Sequence, residues 1–440
     1  MNITVSGAGY VGLVSAVCLA QIGHDVTCTD VDDEKIRLLQ SGRSPIYEAG
    51  LEALLRDNAA RLRFTSDAKT AYEAADVIVI AVGTPENPDG SCDLRYVYAA
   101  ADSIAQYARD GTIAAVKSTV PIGTCAKLQA YFDAHTGARR IRVASNPEFL
   151  SQGTAVRDTL HASRIVLGTA DDEALAVLRE MVAPFGLPVV ETDLCSAEMI
   201  KYASNSFLAL KISFINEIAN LCETVGADVT DVAEGMGFDA RIGGQFLRAG
   251  VGYGGSCFPK DTKALYWLSA HEGQALKTVR AAIDVNESQK LLPLEKAHAL
   301  CGDLRGKEVA VLGLAFKPGT DDVRDAPSLK VVAELLRSGA HVRAWDAAAA
   351  DRFARAVAGD VRYCDTVHEA LAGAALCIIL TEWDAVRALT PEDFKNCMQT
   401  PLVIDGRNCF APERFVGTGV TYESIGRRPV RNHTERTDDT

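Results

Sequence analysis

The chain has little that would suit a metal, a membrane or a nucleic acid. Its twelve cysteines form no CxxC pair and no zinc-like spacing, so no metal site is expected. No apolar run reaches the roughly 18 residues of a membrane-spanning helix. Met1-Asn2-Ile3-Thr4-Val5 carries no basic n-region, so no signal peptide is expected; the thiols then read as reduced and the location as cytoplasmic. Lys and Arg number 45 against 58 Asp and Glu, a net charge of −13. That excludes the basic footprint of non-specific nucleic-acid binding. Any anionic ligand must instead meet a local cluster of cations. What is there is globular: 440 residues, 48% hydrophobic and 23% charged, enough for about three domains.

The first half alternates short β-rich runs with amphipathic stretches, the pattern of a parallel sheet covered by helices. Strands are expected at Ile3–Ser6, Val26–Asp30, Val77–Val82, Ile113–Lys117, Ile141–Ser145, Arg164–Leu167 and Pro188–Glu191. From Ser196 to about Val225 the chain reads as one long helix. More helix follows the glycine-rich segment Gly250–Ser256, with breaks expected at Gly273 and Pro293. At Lys307 the α/β pattern resumes, and Ala375–Thr381 echoes Ala75–Gly83. The predicted architecture is therefore α/β, with two Rossmann-like parallel-sheet domains joined by a helical middle domain. The expected boundaries are 1–195, 196–303 and 304–427, with a disordered tail at 428–440. The long central helix makes a homodimer or higher oligomer the expected assembly.

Gly7-Ala8-Gly9-Tyr10-Val11-Gly12 fits GxGxxG between a strand and a helix. Gly7 would allow the tight turn, Gly9 would let the backbone approach a pyrophosphate, and Gly12 would let helix and strand pack. Asp30 ends the second strand, where a carboxylate accepts from a ribose hydroxyl and repels a 2′-phosphate. NAD is therefore favoured over NADP.

Gly254-Gly255-Ser256-Cys257-Phe258-Pro259-Lys260-Asp261 is the other informative segment. Pro259 suits a first helical turn, which puts Cys257 at a helix N-terminus, where the dipole and Lys260 favour a thiolate. Asp261 is placed to handle a water. Lys201 and Asn205 share a face of the long helix and could hold an oxyanion. Thr119 and Glu148 follow strands, at the edge where a nicotinamide would lie.

Together with the Gly83, Ser118, Asn146, Phe316 and Asp405 motifs (GTP, STVP, NPEFL, FKPGTDDVRDAPS and DGRN), these segments resemble the UDP-glucose/GDP-mannose dehydrogenase family over residues 1–425. The resemblance implies that a sugar nucleotide, UDP-glucose, is oxidised at C6 by two NAD molecules. Cys257 would carry a thiohemiacetal and then a thioester, and water would release the acid. It further implies Lys201 and Asn205 at the oxyanion, Asp261 with the hydrolytic water, and Thr119 and Glu148 near C6. Lys35, Thr84, Lys260 and Arg324 are implied in NAD binding, beside the glycine loop, Asp30, Thr119 and Glu148. Sugar-nucleotide contacts are implied for Glu148, Phe149, Leu150, Lys201, Asn205, Phe246, Leu247, Arg248, Ala249, Gly250, Gly254, Cys257, Phe316, Lys317 and Arg407. Arg241 would reach across a subunit interface, and Lys317, Arg324, Arg407 and Arg241 would converge on the diphosphate. Ser151-Gln152 and Ala162-Ser163 depart from the family's usual Arg-Glu and Pro-Asp. Three alternatives remain: a GDP-mannose 6-dehydrogenase, a two-electron 3-hydroxyacid or 6-phosphogluconate type, and a non-catalytic NAD-binding protein.

Overall fold

A computed structural model describes residues 1–431. They form two compact units. The first holds Met1–Asn205 and Lys263–Ala275; the second holds Ser206–Thr262 and the described residues from Leu276 on.

The first unit contains β1 (Asn2–Ser6), β2 (Asp25–Thr29), β3 (Leu62–Thr65), β4 (Val77–Ile80), β5 (Ile113–Val116), β6 (Arg142–Ser145), β7 (Ile165–Gly168) and β8 (Val189–Thr192). Their order is β3-β2-β1-β4-β5-β6-β7-β8. β4 shows why the sequence reads as a central strand: Val77 and Val79 join one hydrophobic core, Ile78 and Ile80 the other. Both faces are covered, so the alternation of side chains leaves no polar position. The pairing departs from the expected all-parallel sheet at one place, β6 with β7, which is antiparallel through Ser145 and Gly168.

The second unit carries β9 (Glu308–Leu312), β10 (His341–Trp345), β11 (Val361–Tyr363), β12 (Leu376–Ile379), β13 (Leu402–Asp405) and β14 (Thr421–Ser424). Their order, β11-β10-β9-β12-β13-β14, repeats the arrangement around β1. The likeness between the halves extends into the first turn. Gly7 has φ +101 and Gly313 φ +96. The Gly7 N–H donates to Thr29 O at 2.7 Å, and that of Gly313 to Trp345 O at 2.8 Å. Asp30 accepts from the Ala8 N–H at 2.7 Å, and Asp346 from the Leu314 N–H at 2.6 Å. The second copy is closed, however. Asp346 also accepts from the N–H groups of Ala315, Ala348 and Ala349 and from the Trp383 indole.

No strand lies between Thr192 and Glu308 among the described residues. The helices there are Leu194–Val225, Val229–Gly237, Phe258–His271, Lys277–Gln289 and Leu292–Cys301. The expected breaks correspond to Gly273, in a left-handed conformation, and to Pro293 in the first turn of the last helix. This helical middle does not make a compact body of its own, because the division between the two units falls inside the first and third of these helices. β3, β11, β13, β14 and the helix Val229–Gly237 lie outside the elements expected from the sequence; the four strands, of three or four residues each, are too short to show a period.

Part of the segment expected to be a disordered tail, 428–431, is ordered. Val430 pairs with Tyr422, Arg428 donates to Gly226 O at 3.0 Å and Arg431 to Glu423 at 3.0 Å. The remainder of that expected segment, 432–440, lies outside the described residues. Among the described residues no helix is long and apolar enough to cross a membrane.

Candidate active site

In the first unit, the glycines of the β1 loop have different reasons to be glycine. A Cβ on Gly7 would sit 2.7 Å from Ala81 O, and one on Gly12 would sit 1.8 Å from Gly7 O. Both clashes are with backbone, so helix and strand could not approach. Gly9 is extended, with φ −75° and ψ −171°, and a Cβ there would meet nothing within 4 Å. Neither conformation nor packing asks for glycine at that position. The helix Tyr10–Gln21 opens with no side-chain cap and no acidic residue in its first turn. Its first N–H groups and the positive end of its dipole therefore lack side-chain compensation.

Asp30 closes this corner. One oxygen holds the Ala8 N–H and pairs with the Lys35 ammonium at 3.0 Å; the other accepts from the Asp32 N–H at 3.1 Å. Thr84 and Thr119, which follow β4 and β5, come together around one thiol: Cys92 Sγ lies 4.0 Å from each of their carbonyl oxygens. The Tyr10 hydroxyl donates to Glu48, whose carboxylate also accepts from the N–H groups of Gly153 and Ala155 at 2.7 Å. Glu48 was not singled out in the sequence. No spacing marks it, because its partners lie about a hundred residues downstream.

Lys201 and Asn205 are 3% and 6% exposed, so their shared helix face is interior rather than solvated. The Lys201 ammonium donates to both the carboxylate and the main-chain carbonyl of Glu148, each at 2.8 Å. The second Glu148 oxygen accepts from the Leu150 N–H at 2.7 Å. Phe149 lies beneath Arg164, with the guanidinium carbon 3.6 Å from the ring centroid, and Lys201 Nζ is 5.4 Å from the same ring. Ser151 and Gln152 lead into this corner through Gly153, at φ +84. Lys117, which the sequence reading passed over, donates to Asn146 Oδ1 at 3.0 Å. Burial pushes its amine down to about 8 against the pull of the Glu148 charge.

In the second unit, Cys257 occupies the N-cap of the helix Phe258–His271: its carbonyl accepts from the Asp261 N–H at 2.8 Å. The residue is partly exposed, unlike the buried Cys18, Cys28, Cys125 and Cys377. Burial raises Cys18 and Cys28 to about 12 and pushes Cys125 and Cys377 higher still. Asp261 is buried and paired with Lys260 at 2.6 Å. The loop before the thiol is held from several sides. Gly255 N–H donates to Arg324 O at 2.8 Å. A Cβ on Gly254 would lie 2.5 Å from Asp325 O, and one on Gly255 would lie 2.9 Å from the Phe316 ring. Asn286 clasps both main-chain groups of Tyr253, at 2.7 and 3.1 Å. These glycines answer to loop-on-loop packing. Arg324 is bound side-on by Asp322. Burial disfavours the Arg324 charge, but Asp322 and a thiolate at Cys257 outweigh that and raise it.

Several expected substrate contacts have other work in this unit. Leu247 and Ala249 are buried in the small core with Ile215, Ala219 and Val229. The N–H of Gly250 is taken by Asn216 at 2.9 Å and its carbonyl by Gln289 at 2.8 Å, so its peptide groups are already satisfied. Arg407 donates to Leu380 O at 2.7 Å and Phe316 O at 2.9 Å; much of its fork is committed to holding those loops. Arg248 donates to the carbonyls of Arg407 and Asn408 at 3.2 Å. Lys317 Nζ lies 5.6 Å from the Phe316 ring. Arg241 is exposed and clasped by Asp239. Phe246 holds a left-handed backbone, φ +64, a strained setting for an aromatic residue.

Models of the UDP-glucose/GDP-mannose dehydrogenase family match the chain in three successive pieces: the NAD binding domain over residues 1–186, the central domain over 195–288 and the UDP binding domain over 310–412. The chain belongs to this family. It is 47% identical over 433 residues to UDP-glucose 6-dehydrogenase YwqF of Bacillus subtilis, covering 98% of each chain. It is 46% identical over 436 residues to UDP-glucose 6-dehydrogenase of Rhizobium meliloti, covering 97% of this chain and 100% of the relative. A solved UDP-glucose dehydrogenase from Pyrobaculum islandicum matches with a TM-score of 0.91 at 39% identity, over 97% of this chain and 98% of that one. This family member is an NAD-dependent dehydrogenase. Its glycine loop falls in the family's NAD binding domain, Lys201 and Cys257 in the central domain, and Lys317, Arg324 and Arg407 in the UDP binding domain.

Proposed function

We infer that the enzyme oxidises the C6 alcohol of UDP-glucose to the carboxylate, giving UDP-glucuronate, with two NAD molecules as hydride acceptors. In the first step C6 loses a hydride and its hydroxyl a proton, leaving an aldehyde. The Cys257 thiolate then adds to the aldehyde carbon to form a thiohemiacetal. A second hydride leaves that carbon, and a thioester results. Water cleaves it, returning the thiol and releasing the acid. A thiolate suits both halves of this sequence because it adds to a carbonyl and later departs.

The observation that carries the reading is the setting of Cys257: a partly exposed cysteine at a helix N-terminus, where the dipole favours the thiolate. The relatives that match this chain over nearly its full length are named UDP-glucose 6-dehydrogenases, which supports UDP-glucose over GDP-mannose. Lys201, held with Glu148 out of solvent, suits an oxyanion partner, and Asn205 shares its face. Thr119 and Glu148 would lie near C6. The buried Asp261 would handle the hydrolytic water. Gly9 keeps clear the space that a pyrophosphate would use, and Asp30 would meet the adenosine ribose. Phe246, Phe316, Lys317 and Arg407 would belong to the sugar-nucleotide site, and Lys317, Arg324, Arg407 and Arg241 would meet the diphosphate. A cytoplasmic location belongs to the same reading.

The deciding assay counts NADH per UDP-glucose consumed, with the product identified. Two NADH and the acid are expected. One NADH and an aldehyde would sink the four-electron route, and NADH from GDP-mannose alone would move the substrate.

The assembly proposed with it is a homodimer built on the long helix. Phe207, Phe214, Leu221 and Val225 are 62, 45, 56 and 66% exposed, at spacings of seven, seven and four residues. Such a stripe stays on one side of a helix and is the seam a second helix covers. Phe207→Glu with Phe214→Glu is expected to halve the mass measured by light scattering. An unchanged mass would place the interface elsewhere.

A further inference from the structure

We propose that Lys117 is a positioning residue for the hydride-transfer chemistry: through Asn146 it holds the segment that presents Glu148 to Lys201, and its charge keeps that pair within a net cationic cluster. This rests on the catalytic reading of Lys201 and Glu148 given above.

The connections are local and continuous. Lys117 follows β5 directly, and its ammonium donates to Asn146 Oδ1 at 3.0 Å and Asn146 O at 3.4 Å. Asn146 in turn donates from its N–H to Val116 O at 2.8 Å and from its amide to Val166 O at 2.9 Å. One residue, two before Glu148, is thus tied by its main chain to β5 and by its side chain to β7 and to a buried cation. On the other side of Glu148, Lys201 grips the carboxylate and the carbonyl at 2.8 Å.

Packing supports this segment too: Asn146 and Glu148 are buried, and the Arg164 guanidinium lies on the Phe149 ring. A pocket of about 70 Å³ also borders it, lined among others by Lys117, Asn146, Glu148, Phe149, Asp158 and Arg164. The polar ties add direction to that packing, because a hydrogen bond fixes the orientation of the groups it joins.

Charge supplies the second half. Lys117 is attracted by Glu148 and repelled by Lys201, so the three form one electrostatic unit with a net charge of +1 when all are ionised. Cys18, facing it from the helix Tyr10–Gln21, is raised to about 12 by burial and stays neutral. Asp158 and Arg164, which also line the pocket, are of opposite sign. Burial brings Lys117 down to about 8, so its proton is lost as the pH rises through that value. The cluster then becomes neutral, which weakens its hold on a developing oxyanion.

The test is kcat and KM from about pH 6 to pH 10 for wild type, Lys117→Met and Lys117→Arg, with NAD affinity measured separately by equilibrium binding. Lys117→Met is expected to lower kcat about 10- to 100-fold at neutral pH while NAD affinity moves less than about threefold. Lys117→Arg is expected to restore kcat and to abolish the wild-type fall above about pH 8, because a guanidinium keeps its charge. An arginine variant that retains the wild-type alkaline fall overturns the proposal, and so does a methionine variant with wild-type kcat. If the methionine variant does not fold, the arginine profile decides alone. A wild type that yields no NADH from UDP-glucose removes the underlying reading and this inference with it. An active wild type with two indistinguishable variants removes only the role of Lys117.

Discussion

Cys257→Ser is expected to keep NAD and UDP-glucose binding but lose acid production by at least about 10³-fold. The reason is chemical. A serine hydroxyl at the N-cap can still receive the helix dipole and cap the first turn, since Ser is a favoured N-cap residue. The fold and the Gly254–Ser256 loop, held by Asn286 and by the Arg324 carbonyl, should therefore survive. A serine hydroxyl stays protonated at neutral pH and is a far poorer nucleophile than a thiolate, so the aldehyde is not trapped and the second hydride has no thiohemiacetal to leave from. The measurement is product analysis by mass spectrometry alongside NADH yield. Acid formed at the wild-type rate would refute the covalent route. Eleven other thiols are present, so alkylation alone would not be decisive, whereas this single replacement is.

Lys201→Ala is the second large effect. It removes a donor aimed at both oxygens that Glu148 offers it, its carboxylate and its carbonyl. If the ammonium also meets the developing oxyanion, kcat should fall about 10²- to 10³-fold, while NAD affinity, governed by the β1 loop, changes little. A stability cost should accompany it. The pair is 3% and 6% exposed, and removing one partner of a buried ion pair costs about 3–5 kcal/mol because the other is left uncompensated. Lys117 sits close enough to soften that loss. The two effects separate in the double variant Lys201→Ala with Glu148→Gln, which should recover stability and not rate. Recovery of both would make Lys201 a structural residue.

Some of this was legible in advance because it is local. The glycine loop is a turn whose sterics are set by neighbours within a few residues: Gly12 is glycine because Gly7 O lies where its Cβ would be. Lys201 and Asn205 share a face because a helix turns about 3.6 residues at a time. What could not be read was whether that face is wet or dry, and the answer came from the partner that covers Lys201, Glu148, 53 positions earlier. The same applies to glycine. Gly254 was expected to contact the sugar nucleotide, but the closest neighbours that a Cβ on Gly254 or Gly255 would meet are Asp325 and Phe316. Arg407 and Gly250 read as ligand contacts, and the structure shows much of their hydrogen bonding committed to the protein itself.

The turn at Gly7, the acid at Asp30 and the thiol just ahead of a helix are properties of short segments, and covalent connection with backbone sterics dictates them wherever those residues occur. Which charges are stripped of water, which carbonyls they hold, and where a void is left, as beside Lys117, depend on segments brought together from far along the chain. Only the folded arrangement excludes solvent, and solvent exclusion turns a lysine, a glutamate and an asparagine into one coupled unit.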